Sequence, residues 1–312
     1  MTISARPTGR SLRPRHRSTA PAASRRGTSM RRSSILLALL LLAATSGTTM
    51  AASGSSDDHA KRYYVSVGDS LAAGVQPTGD PADLYRTEEG YAEQLLARAQ
   101  ATLPKLSLVK LGCPGETTAT MIHGGICSYP HGSQLDEAIS FLRAHRSLVA
   151  FVTIDIGAND FPCQQPECLP AGAAIIGANL PAILGALRTA AGPDVPIVGM
   201  TIHNPFLAAW LQGTDSQAFA QLSAVGLGQV NALLASIYLA SGARVADVAG
   251  SFSSNDFTTL VPLPGAGNVP LNVARICQWT WVCAPPPLGP NNHPNAAGYG
   301  VMAATLASAL GL

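Results

Sequence analysis

The chain has 312 residues, 47% of them hydrophobic, and a formal net charge of +2. Nine of its twenty basic residues are arginines within positions 1–56, which hold no acid, so eleven basic side chains face eighteen acidic ones in the remainder, near −7. That balance excludes the basic footprint of a nucleic-acid binder, and the Ala- and Gly-rich remainder is long enough to bury the core of one large domain.

The first segment reads as targeting. A basic stretch leads into an unbroken apolar run of ten residues at 35–44, then into small residues around Thr49-Met50-Ala51-Ala52. A bilayer needs about 20 apolar residues, so the expectation is a secretory signal peptide over 1–52, cut near Ala51 or Ala52. A membrane anchor is the competing reading. Arg31-Arg32 gives a weak twin-arginine signal, and Met30 is an alternative start. A disordered segment at 53–61 and a single domain over 62–312 are expected to follow. With the signal removed, no membrane span is expected.

From residue 62 the pattern alternates between strand and helix. Strands are expected at 63–67, 106–111, 148–156, 195–201 and 244–248. Helices are expected at 90–102, at 134–141, at 171–191 with a kink or restart at Pro181, at 216–240 and at 295–310. The last of these is signalled by Pro294 and Asn295. Continuous apolar strands suit a parallel sheet covered on both faces, and the strand–helix order implies right-handed crossovers. The 251–292 stretch, rich in Pro, Gly and Asn, shows little periodicity and reads as a long functional loop.

Six cysteines remain after the signal: Cys113, Cys127, Cys163, Cys168, Cys277 and Cys283. An even count in an exported chain argues for three disulfides. Six cysteines allow 15 pairings, and the simplest joins the sequence-local couples 113 with 127, 163 with 168, and 277 with 283. Loops this short gain roughly 3 kcal/mol or less each, so such bridges brace loops. A zinc site from Cys113, His123, Cys127 and His131 is the alternative, although its spacing matches no common zinc pattern.

Four polar stretches fall at strand ends or in loops. They are Gly68-Asp69-Ser70-Leu71, Gly112-Cys113-Pro114-Gly115-Glu116-Thr117-Thr118, Gly157-Ala158-Asn159-Asp160 and Asn292-His293-Pro294-Asn295. In an open α/β sheet, chemistry collects at the carboxyl ends of the strands. A serine nucleophile needs a base, and its oxyanion needs preorganised donors. Ser70, His293, a glycine amide and an asparagine amide supply both.

This ordered set of GDSL, Gly, GxND and HPNxxGY resembles the SGNH hydrolases, the GDSL family of esterases and lipases. The resemblance spans the whole mature chain. It implies a flavodoxin-like α/β fold, a three-layer sandwich with a five-stranded parallel sheet flanked by helices. It implies a secreted esterase or lipase acting on a small-molecule or lipid ester, expected as a monomer, with no cofactor and no metal. Residue by residue it implies Ser70 as nucleophile and His293 as general base. The oxyanion hole is then the N–H groups of Ser70 and Gly115 and the Asn159 side chain. The local cysteines and the phrases Gly199-Met200-Thr201 and Asn204-Pro205-Phe206-Leu207 resemble the secreted actinobacterial branch.

One position departs from the family. Members usually carry Asp three residues before the histidine, where this chain has Pro290. Either His293 Nδ1–H donates to a backbone carbonyl of the 281–290 loop, leaving a Ser–His dyad, or a carboxylate such as Asp256 reaches it. Loss of the aspartate costs about 10⁴ in kcat where the tautomer is disturbed, yet a carbonyl also enforces the tautomer. The dyad is the favoured expectation, with Asn291→Ala and Asp256→Ala each keeping most activity. Asp69 is expected to brace its turn, and His123, His131 and His203 to be structural or exposed. Trp279 and Trp281 either line an acyl pocket or pack their loop. The α/β-hydrolases are disfavoured because no Gly-x-Ser-x-Gly elbow occurs. A sugar-ester deacetylase, and a weakened binding protein on the same scaffold, remain as alternatives.

Overall fold

The computed structural model describes residues 61–80, 84–163 and 166–312, all within one unit of the chain, Ser55–Leu312. The expected signal peptide and residues 53–60 lie outside the described residues. Strand β1 (Arg62–Gly68) leads through β2 (Val75–Pro77) and β3 (Leu84–Arg86), which pair antiparallel, to α1 (Tyr91–Ala99) and β4 (Leu106–Lys110). Helices α2 (Thr118–His123) and α3 (Gln134–Ala144) return the chain to β5 (Val149–Asp155). Helix α4 (Leu169–Ala191) leads to β6 (Ile197–Met200), and α5 (Thr214–Ala240) to β7 (Arg244–Ala246). A short α6 (Val248–Ser251), the antiparallel pair β8 (Leu260–Leu263) and β9 (Gly267–Pro270), and α7 (Leu271–Trp279) precede the closing α8 (Ala296–Leu310).

The main sheet is parallel, in the order β4-β1-β5-β6-β7. Its central strands are apolar toward both faces, so both must be covered. Tyr64 and Phe151 point to a cluster with α1 and α8, through Tyr91, Leu95, Tyr299 and Met302. Val65, Val67, Val152 and Ile154 point to the other side, against Leu142 of α3 and residues of α4 and α5. Each fully buried side chain of this kind contributes about 1.5–3 kcal/mol. This is the expected three-layer α/β sandwich.

The strand order locates the site. From β1 the chain crosses to β4 on one side, and from β4 it returns past β1 to β5. The order therefore reverses between β1 and β5, where a crevice opens beyond their carboxyl ends. Ser70 follows β1 and Asn159 follows β5.

One expectation is narrowed and another corrected. Helix α4 continues through Pro181, so no new segment starts there. An interior proline costs about 3 kcal/mol, but Ile176 and Leu180 before it and Ile183, Leu184 and Leu187 after it are all in the core. Their combined burial outweighs one lost bond. The stretch 251–292 is not a featureless loop, since it carries β8, β9 and α7. Val273 and Ile276 of α7 are buried.

Candidate active site

The turn after β1 is held by bonds that engage the residues around Ser70. Gly68 has φ +145, and a Cβ there would fall 2.2 Å from the Asp155 carbonyl oxygen, so only glycine lets β5 approach. Asp69 N–H donates to that carbonyl at 3.2 Å, Ala73 N–H to Asp69 O at 3.1 Å, and Val75 N–H to Ser70 O at 3.0 Å. Asp69 Oδ1 accepts from Leu71 N–H at 2.9 Å, bracing the turn. Ser70 N–H has no acceptor among the described residues, and the half-buried residue lines a cleft.

The loop after β4 is tied back to the same turn. Cys113 N–H donates to Gly68 O at 3.0 Å, and Cys113 is bonded to Cys127. Gly115 adopts φ +83, and a Cβ added there would meet nothing within 4 Å, so it is conformation and not space that calls for glycine. Its N–H also lacks an acceptor among the described residues. Asn159 Nδ2 donates to Glu116 O at 3.0 Å and reaches Asp69 Oδ2 at 3.5 Å. Beneath them lies a buried residue that sequence reasoning missed. Gln134 Nε2 donates to Gly68 O at 2.9 Å and to Glu116 Oε2 at 3.1 Å, and its Oε1 accepts from Gly68 N–H at 2.7 Å. Asp160 accepts from Thr118 N–H and Oγ1–H, fixing the β5 loop to the start of α2.

His293 comes from the loop before α8, whose Asn295 side chain accepts from Gly298 N–H as an N-cap. The orienting group is neither a backbone carbonyl nor Asp256, correcting both sequence options. Asn291 Oδ1 meets His293 N–H at 2.9 Å and His293 Nδ1 at 2.8 Å. The backbone N–H can only donate, so the atom it meets is the amide oxygen. That oxygen in turn requires the proton on Nδ1. Nε2 is left as the free base. Asp256 is occupied by Thr258 and Thr259, whose hydrogen bonds pull its carboxyl down to about 2. An Asn two residues before the histidine is within reach of that residue's N–H through an Asx turn, and this was the available signal.

Burial, with His203 nearby, pushes His293 down to about 4, so it is neutral above that pH. Desolvation likewise lowers His203, against the bond from its Nε2 to Asn292 O at 3.1 Å. His203 therefore steadies the histidine loop. His131 also has partners, Glu137 Oε2 at 2.7 Å and Ser140 Oγ at 3.0 Å. That line resembles a triad, but Ser140 sits mid-helix, where backbone N–H groups are committed to the helix, so no oxyanion donor accompanies it.

Ser70, Gly115, Asn159 and His293 line one cleft of about 650 Å³, within the range of small-molecule sites. One wall is apolar, formed by Phe161, Leu169, Ile202, Phe206, Phe219 and Leu227. Trp279 and Trp281 are outside it and pack their loop: Trp279 lies edge-on to Phe252 with Arg275 over its ring, and Trp281 Nε1–H donates to Gln76 Oε1 at 3.2 Å. The sulfurs pair 113 with 127, 163 with 168 and 277 with 283. The first pair removes the thiolates that the zinc alternative needed.

Residues 66–301 match the family model described as the GDSL-like Lipase/Acylhydrolase family. No protein of curated function matches the chain in sequence. Among solved structures, an extracellular lipase from Streptomyces rimosus aligns at 19% identity and TM-score 0.50, over 80% of this chain and 99% of that one. A phospholipase A1 from Streptomyces albidoflavus aligns at 17% identity and TM-score 0.47, over 80% and 100%. An acetyl xylan esterase from Geobacillus stearothermophilus aligns at 16% identity and TM-score 0.46, over 80% and 94%.

Proposed function

Since the chain belongs to the GDSL-like lipase/acylhydrolase family and is a carboxylic ester hydrolase, we propose that it cleaves acyl esters through an acyl-enzyme on Ser70. The observation that supports this is the cleft that gathers Ser70, Gly115, Asn159 and His293 at the β1/β5 crevice. His293 Nε2 takes the Ser70 hydroxyl proton as Oγ attacks the ester carbonyl. The oxyanion is met by the Ser70 and Gly115 N–H groups, which have no other acceptor among the described residues, and by the Asn159 amide. Collapse expels the alcohol, which takes its proton from His293. Water, activated by the same nitrogen, then attacks the acyl-enzyme and releases the acid and free Ser70.

The acyl chain lies along the wall of Phe161, Ile202, Phe206 and Phe219, an apolar surface that favours chains longer than acetyl. The three disulfides and the basic, apolar leader fit an exported enzyme. The test is a p-nitrophenyl ester series from acetyl to palmitoyl. Wild type is expected to prefer chains above acetyl, and Ser70→Ala to lose on the order of 10³-fold or more. Equal rates for both proteins would overturn the nucleophile. Activity confined to acetyl esters would overturn the acyl-wall reading in favour of a deacetylase.

A further inference from the structure

Two carboxyls are buried beneath the turn that carries Ser70. Asp69 is 2% exposed and Asp155, the last residue of β5, is 4% exposed. Asp155 accepts from Ala72 N–H through Oδ2 at 3.3 Å and from the Tyr91 hydroxyl through Oδ1. Asp69 accepts from Leu71 N–H and faces the Asn159 amide. The turn itself brings the two carboxyls together, since Asp69 N–H donates to the Asp155 carbonyl and the adjacent N–H groups of Leu71 and Ala72 donate one to each carboxyl, and each carboxyl acts on the other. Two carboxylates in contact, away from water, cannot both be ionised at ordinary cost, whereas one proton between them makes a donor and an acceptor.

We propose that Asp155 is a positioning residue: as a carboxylic acid it donates its proton to the Asp69 carboxylate, and that bond holds the Ser70 turn and the Asn159 amide in reactive register. The mechanism on Ser70 assigns no role to Asp155, so the proposal rests on that reading of the site and adds to it. The proton stays on the pair throughout, with no bond made or broken in turnover. The single negative charge is spread over Leu71 N–H, the Asp155 hydroxyl and the edge of the Asn159 amide. The second Asn159 bond, to Glu116 O, fixes the amide plane.

The surroundings are consistent with one retained proton. Burial, then the charge of Asp69, raises Asp155 well above the usual carboxylate range, and burial raises Asp69 to about 6. The other ionisable groups acting on Asp69 are the acids Asp160 and Glu116. Around Asp155 stand the phenols Tyr91 of α1, Tyr64 of β1, Tyr238 of α5 and Tyr299 of α8, each with its hydroxyl raised. Glu93, which acts on Tyr64 and Tyr299, is ion-paired with Lys110.

The experiment compares wild type, Asp155→Asn and Asp155→Leu in kcat, KM and Tm from pH 5 to 9. Leucine removes the donor and the acceptors. It is expected to lower kcat on the order of 10–10²-fold with KM within a few-fold, since a misplaced turn affects the reacting geometry more than binding. Asparagine keeps a donor toward Asp69 and an acceptor for Tyr91 but gives up the acceptor for Ala72 N–H, and should recover part of the lost kcat. A folded pKa above the unfolded one means stability that is present below about 4 and lost as pH rises through the folded value. Wild-type Tm should therefore fall toward high pH, and the asparagine variant should fall less. Full kcat in the leucine variant, or no recovery with asparagine, overturns the positioning role. Identical Tm slopes in wild type and the asparagine variant overturn the shared proton. If wild type hydrolyses no ester, the reading of Ser70 fails, and the Tm comparison still decides whether Asp155 keeps its proton.

Discussion

Asn291 meets His293 without lending it a charge, and on the mechanism proposed for Ser70 this would set the acid side of the activity. An amide oxygen on Nδ1 enforces the same tautomer as a carboxylate. It does not stabilise the imidazolium, so burial is left free to bring His293 down to about 4. The base form is neutral above that value, and kcat/KM should fall only as pH drops through it. Asn291→Asp places an anion on Nδ1–H, favours the charged imidazole and should move the acid limb upward. A kcat/KM profile from pH 3 to 8 checks this, and an unmoved limb counts against Asn291 as the partner. Asn291→Ala leaves Nδ1 and the loop N–H unpaired. It should cost on the order of 10–10²-fold in kcat, the usual scale for losing an orienting partner. Activity near wild type would return the site to the simple dyad that Pro290 suggested.

At the scale of elements, three strand-end loops are bound into one body before any substrate arrives. Gln134 ties the β1 turn to the loop after β4, Asp160 ties the β5 loop to α2, and the Cys113–Cys127 bond closes the β4 loop. Replacing both Cys113 and Cys127 by Ala should lower stability by about 3 kcal/mol at most, from a closed loop spanning 14 positions. It should also lower kcat, because Gly115 N–H sits two residues from the bridge. Thermal melts and ester kinetics on the double variant separate the two effects, and a Tm loss with unchanged kcat would place the bridge outside oxyanion positioning. The five parallel strands and the Ser70, Gly115, Asn159 and His293 stretches were legible because apolar runs and Gly-containing loops are local signals, whereas the strand order rests on pairings distant in sequence. The pair β8 and β9 was not legible, since Leu260 is exposed and Pro262 and Pro270 interrupt the pattern. Gln134 and Asp155 were not either: each acts through a contact more than 60 positions away in sequence, to Gly68 or Ala72, which no periodicity encodes.

For the whole molecule, the pH dependence of stability is a contest between buried acids and buried imidazoles. Asp69, Asp155, Glu116 and Asp160 are all raised, chiefly by burial. Each adds stability below its unfolded value that is lost as pH rises through its folded one. His293 and His203 are lowered by burial, so their contribution is present above about 6.5 and is lost as pH falls through their folded values. Between about pH 6 and 4 the two sets oppose each other, four acids against two imidazoles, and stability should change little or rise slightly. Toward higher pH the histidines have nothing further to add, while the raised acids, with Asp155 held well above the usual carboxylate range, lose their contribution as pH passes their folded values, so Tm should decline. Below about pH 4 the raised acids are protonated in both states and His293 has already given up its contribution, while Asp256 loses its threonine bonds as pH falls toward about 2. The expected curve therefore peaks on the acid side of neutrality and falls away in both directions. Melts from pH 3 to 9 test it, and a Tm maximum above pH 8 would show that the buried carboxyls titrate as ordinary surface acids.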